Sequence, residues 1–180
     1  ADSMPGKEKS MVSIILPVRN EAKFISRVVR NFLDNDYPSD RMEIIVVDGC
    51  SDDGTRQELE RLSKIDCRVR VIDNPDKITP VAMNLGVKAA KGEYVLMAGS
   101  HSEYAKDYLK SCIEVLERTS AGCVGGYMET LPGGRSLVAR AISYATSSPF
   151  GVGRAKFRTG GGREQEVDAL GVSFFRREVF

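Results

Sequence analysis

The chain alternates short, almost wholly apolar runs with longer stretches whose apolar residues recur every three or four positions. The apolar runs predict buried strands at residues 12–16, 44–47, 69–72 and 94–97. The stretches between them predict helices at residues 21–34, 55–63 and 79–90. Strands that alternate with helices at this spacing favour a parallel sheet covered on both faces. We therefore predict an α/β fold, a three-layer sandwich with a mainly parallel central sheet.

The pattern continues for one more helix and then loosens. The elements predicted here are a helix at 106–118, a strand at 123–128, a helix at 137–144 and a strand at 167–175. Residues 149–166 are rich in glycine and arginine, and we expect a mobile loop there. Because no repeat or second domain is visible, we expect one domain over residues 11–180, preceded by a disordered tag or leader at residues 1–10.

Polar residues gather where the predicted strands end. The first strand runs into Pro17–Glu21, the second into Asp48–Thr55 and the fourth into Gly99–Glu103. In open α/β sheets, ligands bind in the crevice beyond the carboxyl ends of parallel strands. These three turns therefore predict a pocket of the kind that binds a nucleotide.

Composition and missing motifs exclude several classes of protein. The 180 residues carry a net charge of +1, which argues against extensive nucleic-acid binding. No apolar run approaches the roughly 20 residues of a membrane-spanning helix. The four cysteines form no CxxC pair, which predicts free thiols and a cytoplasmic location. No GxGxxG motif follows the first strand, as a dinucleotide-binding dehydrogenase would require, and no Gly-rich basic loop is present there, as a sugar nucleotidylyltransferase would require.

Four segments together resemble a known family. They are residues 13–21 (SIILPVRNE), 46–55 (VVDGCSDDGT), 82–94 (AMNLGVKAAKGEY) and 171–180 (GVSFFRREVF). In this order and spacing the chain resembles the family 2 inverting glycosyltransferases, which have the GT-A fold. The likeness is closer to bacterial succinoglycan-type sugar transferases. It implies a nucleotide-binding part at about residues 11–103 and a partial acceptor part at about residues 104–180.

The resemblance implies roles for residues at the strand ends. Asp48 would accept a hydrogen bond from the base of a nucleotide, and the base and ribose would be lined by Pro17, Arg19 and Glu21. Lys77 would face the diphosphate, as a cation should, with Gly99 and Ser100 completing the donor site. Local alternatives stay open: Asp48 as a turn residue, Glu21 as a partner of a helix dipole, and Lys77 as a surface lysine.

The chain departs from the family at its metal motif. The family has Asp-x-Asp or Asp-x-His after the fourth strand, where this chain reads Gly99-Ser100-His101. Three hypotheses follow. Mn²⁺ or Mg²⁺ still binds through His101, because substrate phosphates supply oxygen ligands. Alternatively, Lys77 or an arginine between Arg154 and Arg163 neutralises the leaving group, or the site belongs to an inactive pseudoenzyme.

The general base is a second departure. An inverting transfer needs a carboxylate that takes the proton of the acceptor hydroxyl. In the family that carboxylate follows the segment that ends here at Phe180, so we expect the chain to be C-terminally truncated. Asp168 is the local candidate for the base; otherwise it orders a loop on the acceptor side.

The sequence therefore predicts an enzyme that transfers sugar from a nucleotide-diphosphate sugar, with UDP as the expected nucleotide. The acceptor would be a glycan or a lipid-linked molecule. The alternative is a catalytically impaired nucleotide-sugar-binding or scaffold protein of the same fold. We expect a cytoplasmic protein that binds no nucleic acid, with any membrane association supplied by parts absent from this chain.

Overall fold

The computed structural model describes residues 10–148, 152, 155–159 and 164–180. The strands are β1 (Val12–Val18), β2 (Met42–Asp48), β3 (Val69–Asp73), β4 (Tyr94–Met97), β5 (Cys123–Val124) and β6 (Ser173–Arg176). The helices are α1 (Ile25–Leu33), α2 (Thr55–Ile65), α3 (Thr79–Ala89), α4 (Tyr108–Arg118), α5 (Leu137–Ser147) and the single turn α6 (Lys156–Thr159).

The strands form one sheet in the order β3-β2-β1-β4-β6-β5. The first four strands in that order pair in parallel, whereas β6 pairs antiparallel with both β4 and β5. This is the α/β architecture with a mainly parallel sheet that the sequence predicts.

Alternate side chains of each strand pack into two separate cores. Ile14, Ile44 and Leu96 face the larger core, which also contains the apolar faces of α1, α2 and α4. Ile15 and Val95 face the opposite side, where α3 packs. Helix α3 lies very close to the sheet: a Cβ on Gly86 would lie 2.3 Å from Cγ2 of Ile15. Only glycine permits that approach.

A buried carboxylate joins the amino ends of the strands. Glu43 accepts hydrogen bonds from the Ser13 hydroxyl and the Lys91 N–H, each at 2.7 Å, and pairs with Arg70 at 2.8 Å. Burial alone would raise the pKa of Glu43, but the bonds from Ser13, Lys91 and Arg70 outweigh burial and hold it below its usual value. The ionised form of Glu43 is therefore the one that the fold stabilises.

Three predicted elements differ most from the structure. The helix predicted from Glu21 begins at Ile25, because residues 22–24 form a turn after the left-handed Asn20. The strand predicted at 123–128 has only two residues, since the chain at Gly125 packs against Val172, where a Cβ would lie 2.4 Å from the Val172 carbonyl oxygen. The last strand begins at Ser173 rather than at residue 167.

The predicted leader and mobile loop fall largely outside the described residues. Of residues 1–10 only Ser10 is described; its hydroxyl donates to Glu93 at 2.8 Å, and its carbonyl accepts from the Tyr37 hydroxyl. Within the loop predicted at 149–166, residues 149–151, 153–154 and 160–163 are not described. In the described part of the chain, no helix is both long enough and apolar enough to span a bilayer.

Candidate functional site

A cleft of about 430 Å³ opens at the carboxyl ends of the parallel strands, where the sequence predicts a pocket. Its walls come from the turns after β1, β2, β3 and β4 and from the first residues of α3. The lining residues predicted from the sequence are Pro17, Arg19, Glu21, Lys77, Gly99, Ser100 and His101. The structure thus brings seven predicted site residues to one cleft, although nothing in it tests what they bind.

The turns after β1 and β2 are fastened to each other. The Asn20 N–H donates to the Ser51 hydroxyl at 2.9 Å, and the Asp52 N–H donates back to Oδ1 of Asn20 at 3.0 Å. Next to them, the Glu21 N–H donates to Oγ1 of Thr55 at 2.8 Å. These bonds fix the two turns relative to each other.

Asp53 completes this fastening. One carboxylate oxygen accepts from the Thr55 N–H and hydroxyl at 3.0 and 2.5 Å, and the other accepts from the Ala22 N–H at 3.1 Å. These bonds, led by that from the Thr55 hydroxyl, hold the pKa of Asp53 below its usual value. Asp53 therefore stabilises both turns and the start of α2.

Asp48 lies behind the cleft wall and does not line it. The residue is 2% exposed, and its carboxylate accepts from the Ser51 hydroxyl at 2.5 Å and lies 3.6 Å from Arg56. Gly49 takes the lining position, and a Cβ there would lie 3.3 Å from Cβ of Arg19. As the structure stands, Asp48 shapes the turn, which is the alternative that the sequence leaves open. A contact between Asp48 and a nucleotide base stays a prediction.

The opposite wall of the cleft is a tight turn after β3. Lys77 has a left-handed backbone (φ 60°), and its N–H donates to the Asn74 carbonyl at 3.1 Å. Nδ2 of Asn74 donates to the Ile78 carbonyl at 2.9 Å, whereas its buried Oδ1 has no partner among the described residues. The turn directs an exposed cation, Lys77, and a buried amide, Asn74, to the same cleft.

His101 contacts the turn after β1. Its Nε2 lies 3.0 Å from Oε1 of Glu21, and its ring meets the Phe24 ring edge to face at 4.7 Å. The Glu21 side chain is mostly buried, whereas that of His101 is largely exposed. The nearby carboxylate of Glu103 points elsewhere and pairs with Arg27 at 3.4 Å. Of the predicted residues, Glu21 and His101 are therefore the two whose side chains could together bind a metal ion.

The Glu21–His101 pair fits a divalent ion only in part. Neighbouring ligands of an octahedral ion with bonds of about 2.1 Å lie about 3 Å apart, which matches the 3.0 Å between Oε1 and Nε2. Within the described ranges, no group of three or more His, Cys, Asp or Glu residues could hold a metal. Beyond Glu21 and His101, a metal here would therefore depend on further ligands, such as phosphate oxygens.

Of the remaining predicted residues, the described ones, Asp168 and Arg158, do not line the cleft. Asp168 lies exposed in the segment before β6 and is not a lining residue, so its role as base stays a prediction. Arg154 and Arg163 lie outside the described residues. Arg158 is described, and it donates to the Thr130 hydroxyl at 3.2 Å.

Sequence reasoning missed the part of the cleft that α3 supplies. Thr79, Ala82 and Met83 line the cleft from the first turns of this helix, and Asn74 lines it from the preceding turn. A signal was present, because Asn74 follows a predicted strand and the segment from Ala82 belongs to the family resemblance. The partnership between Glu21 and His101, 80 positions apart, has no signal in the spacing.

Comparisons with known proteins agree with this geometry. The model of the family described as "Glycosyl transferase family 2" matches residues 13–179. The succinoglycan biosynthesis protein ExoA of Rhizobium meliloti (strain 1021) is 33% identical over 149 residues, which cover 82% of this chain and 44% of that protein. The predicted likeness to succinoglycan-type transferases is confirmed.

Two solved structures share the fold. The mannosyltransferase PcManGT from Pyrobaculum calidifontis, in complex with GDP-Man and Mn²⁺, has a TM-score of 0.69 at 21% identity, over 96% of this chain and 46% of that one. Staphylococcus aureus TarS in complex with UDP-GlcNAc has a TM-score of 0.65 at 21% identity, over 94% and 46%. Both have the GT-A fold, which confirms the predicted fold class. The chain spans less than half the length of each of these three proteins.

Proposed function

Because the chain belongs to glycosyl transferase family 2, we propose that it binds a nucleotide-diphosphate sugar in the cleft and transfers the sugar, with inversion, to a glycan or lipid-linked acceptor. The observation that carries this proposal is the position of the cleft. It lies at the carboxyl ends of the parallel strands and is lined by the turns through which the chain resembles the family. Those turns are fixed by their own hydrogen bonds.

The charges of the cleft suit a diphosphate. Lys77 supplies a cationic group at the cleft wall, and a lysine near a diphosphate provides charge-assisted hydrogen bonds. We place the base and ribose against Pro17, Arg19 and Glu21, and the diphosphate near Lys77 and Ser100. UDP is the nucleotide we favour; a relative of the same fold, TarS, was solved with UDP-GlcNAc.

A divalent metal is part of the proposal. Glu21 and His101 would hold Mn²⁺ or Mg²⁺ together with phosphate oxygens of the donor, and the ion would neutralise charge on the leaving diphosphate. PcManGT was solved with Mn²⁺ beside its nucleotide sugar, which supports a metal in this fold. Lys77 is the alternative source of that neutralising charge.

The second candidate function is a nucleotide-sugar-binding protein without transferase activity. Gly99 stands where the family's metal motif begins with aspartate, and Asp168 does not line the cleft. A cytoplasmic location is proposed for either function, in keeping with four free cysteines.

Calorimetric titration with UDP and with GDP, each with and without Mn²⁺, tests the donor site. We expect UDP to bind more tightly than GDP and Mn²⁺ to strengthen its binding. Lys77→Gln should weaken UDP binding about tenfold, since a charge-assisted hydrogen bond is lost. Lys64→Gln, an exposed lysine on α2, is the matched control and should change nothing.

His101→Ala separates the two sources of charge. If the metal hypothesis holds, this variant keeps metal-free UDP binding and loses the enhancement by Mn²⁺. If Mn²⁺ has no effect on the unmodified chain, Lys77 becomes the charge-neutralising group. Failure of both nucleotides to bind would contradict the donor site itself.

If a nucleotide binds, transfer assays with lipid-linked and free glycan acceptors distinguish a transferase from a binding protein. NMR of the product gives the anomeric configuration and so tests inversion.

A further inference from the structure

Helix α5 presents its apolar residues to solvent and its small polar residues to the protein. Leu137, Val138, Ile142 and Tyr144 are exposed by 80, 69, 59 and 79%. Ser143 lies on the opposite side, where its hydroxyl donates to the Thr130 carbonyl at 2.5 Å. No residue of α5 is buried. A helix that packed on the core through its apolar face would have the reverse arrangement.

The segment around α5 is also the most basic part of the chain. Residues 130–163 contain six lysine and arginine residues and no aspartate or glutamate, although the whole chain has a net charge of only +1. Arg135 and Arg140 are exposed and pair with no acidic residue in the described ranges. Glu164, the first acidic residue after the segment, already pairs with Arg118 at 2.7 Å. Within the described residues, the outward apolar face is therefore flanked by two exposed arginines, Arg135 and Arg140, without an acidic partner.

We infer that α5 and its basic surroundings bind the surface of an anionic lipid bilayer. An amphipathic helix with an apolar face, cationic flanks and an aromatic residue lies along a membrane interface, with its apolar face among the acyl chains. Tyr144 and Arg140 are residue types that anchor at such an interface, and cationic side chains are attracted to anionic headgroups. At eleven residues, α5 is about 16 Å long and too short to cross a hydrocarbon core of about 30 Å.

Charge complementarity favours an anionic bilayer over two other partners of α5, a second copy of the chain and a soluble polyanion. A second copy of the chain, docked symmetrically through α5, would bring two basic segments together, and like charges repel. A soluble polyanion such as a nucleic acid would neutralise the arginines but leave Leu137, Val138 and Ile142 in water. An anionic bilayer satisfies both the charge and the apolar face. This inference goes beyond the proposed function and assigns membrane contact to residues present in this chain.

Co-sedimentation of the 180-residue chain with lipid vesicles tests the inference. We expect binding to phosphatidylcholine vesicles that contain phosphatidylglycerol, weak binding to pure phosphatidylcholine, and release as salt is raised, because salt screens the headgroup field. The double variant Val138→Ser with Ile142→Ser should weaken binding about tenfold or more, from the lost apolar burial. Ile65→Ser on α2 is the matched control, since Ile65 is 68% exposed but remote in sequence from the basic segment. Arg135→Gln with Arg140→Gln should also weaken binding.

Each other outcome overturns the inference. No sedimentation with anionic vesicles would do so directly, as would equal binding to both lipids or loss of binding in Ile65→Ser. A concentration-dependent dimer that the Val138/Ile142 variant abolishes would identify a second copy as the occupant. Competition by soluble polyphosphate that needs the arginines but not Val138 or Ile142 would identify a soluble polyanion. The readout involves no nucleotide, and titration with UDP should give the same affinity for all these variants.

Discussion

Residues 11–103 mostly bury their apolar side chains, whereas the region around α5 exposes them. In the first, every residue of β2 is buried, and so is every residue of β1 except Pro17. In the second, β5 has two residues, neither fully buried, and α5 exposes its largest apolar side chains. The first region packs its apolar residues into two cores, one of which also contains residues of α4 and β6, whereas α5 carries apolar surface that the described residues leave exposed.

The largest expected contrast is between one large side chain in each region. Phe32 is fully buried and its ring lies 4.5 Å from that of Tyr104. Phe32→Ala should lower the free energy of unfolding by about 3–5 kcal/mol, through lost transfer energy and a cavity. Ile142→Ala on α5 should stay within about 0.5 kcal/mol. Urea unfolding of both variants measures the difference, and equal losses would mean that α5 belongs to the same core.

The sequence predicts the strands and helices of the first region well, because they follow from a regular alternation of apolar runs and amphipathic stretches. Tyr94–Met97 is found at the predicted bounds, and the turns after β1 and β4 line the cleft as expected. The errors arise where a tertiary contact decides. Gly125 looks like part of a strand, but there the chain approaches the Val172 carbonyl oxygen closely. The Asp48 carboxylate accepts from the Ser51 hydroxyl, and its contact with a nucleotide base stays a prediction. The sequence predicted a helix at 137–144 but gave no indication that its apolar face points outward.

A second contrast compares a buried ion pair with an exposed one. Glu43 is buried and bonded to Ser13, Lys91 and Arg70, whereas the Arg118–Glu164 pair is 60% exposed on both sides. Glu43→Gln should lower the free energy of unfolding by about 1–3 kcal/mol, because buried donors lose a charged acceptor. Arg118→Gln should leave the urea midpoint unchanged, since water solvates both groups of an exposed pair.

The stabilisation by Glu43 should depend on pH. The pKa of Glu43 is lower in the folded chain than the 4.5 expected of an unfolded glutamate. Its contribution to stability is therefore complete above pH 4.5 and is lost as the pH falls through the folded-state pKa. Below pH 4.5 the stability of the unmodified chain should fall toward that of Glu43→Gln. A constant difference between the two down to the acid transition would contradict this assignment.

The smallest expected effect comes from removing the side chain that accepts a hydrogen bond at the start of a helix, in α2 and in α5. Asp53 accepts from the Thr55 N–H at the start of α2 and from Ala22 in the adjoining turn, so Asp53→Ala should lower the midpoint of global unfolding. Ser136 accepts from the Ala139 N–H at 3.1 Å at the start of α5. Ser136→Ala should cost that helix about 1 kcal/mol, but α5 buries none of its residues, so the loss should stay local. We expect a smaller helical signal in circular dichroism with an unchanged urea midpoint.

If α5 is a membrane-surface helix, anionic vesicles should restore that signal, since lipid then supplies the packing that the protein does not. A shift of the midpoint as large as that of Asp53→Ala would instead place α5 within the cooperative core.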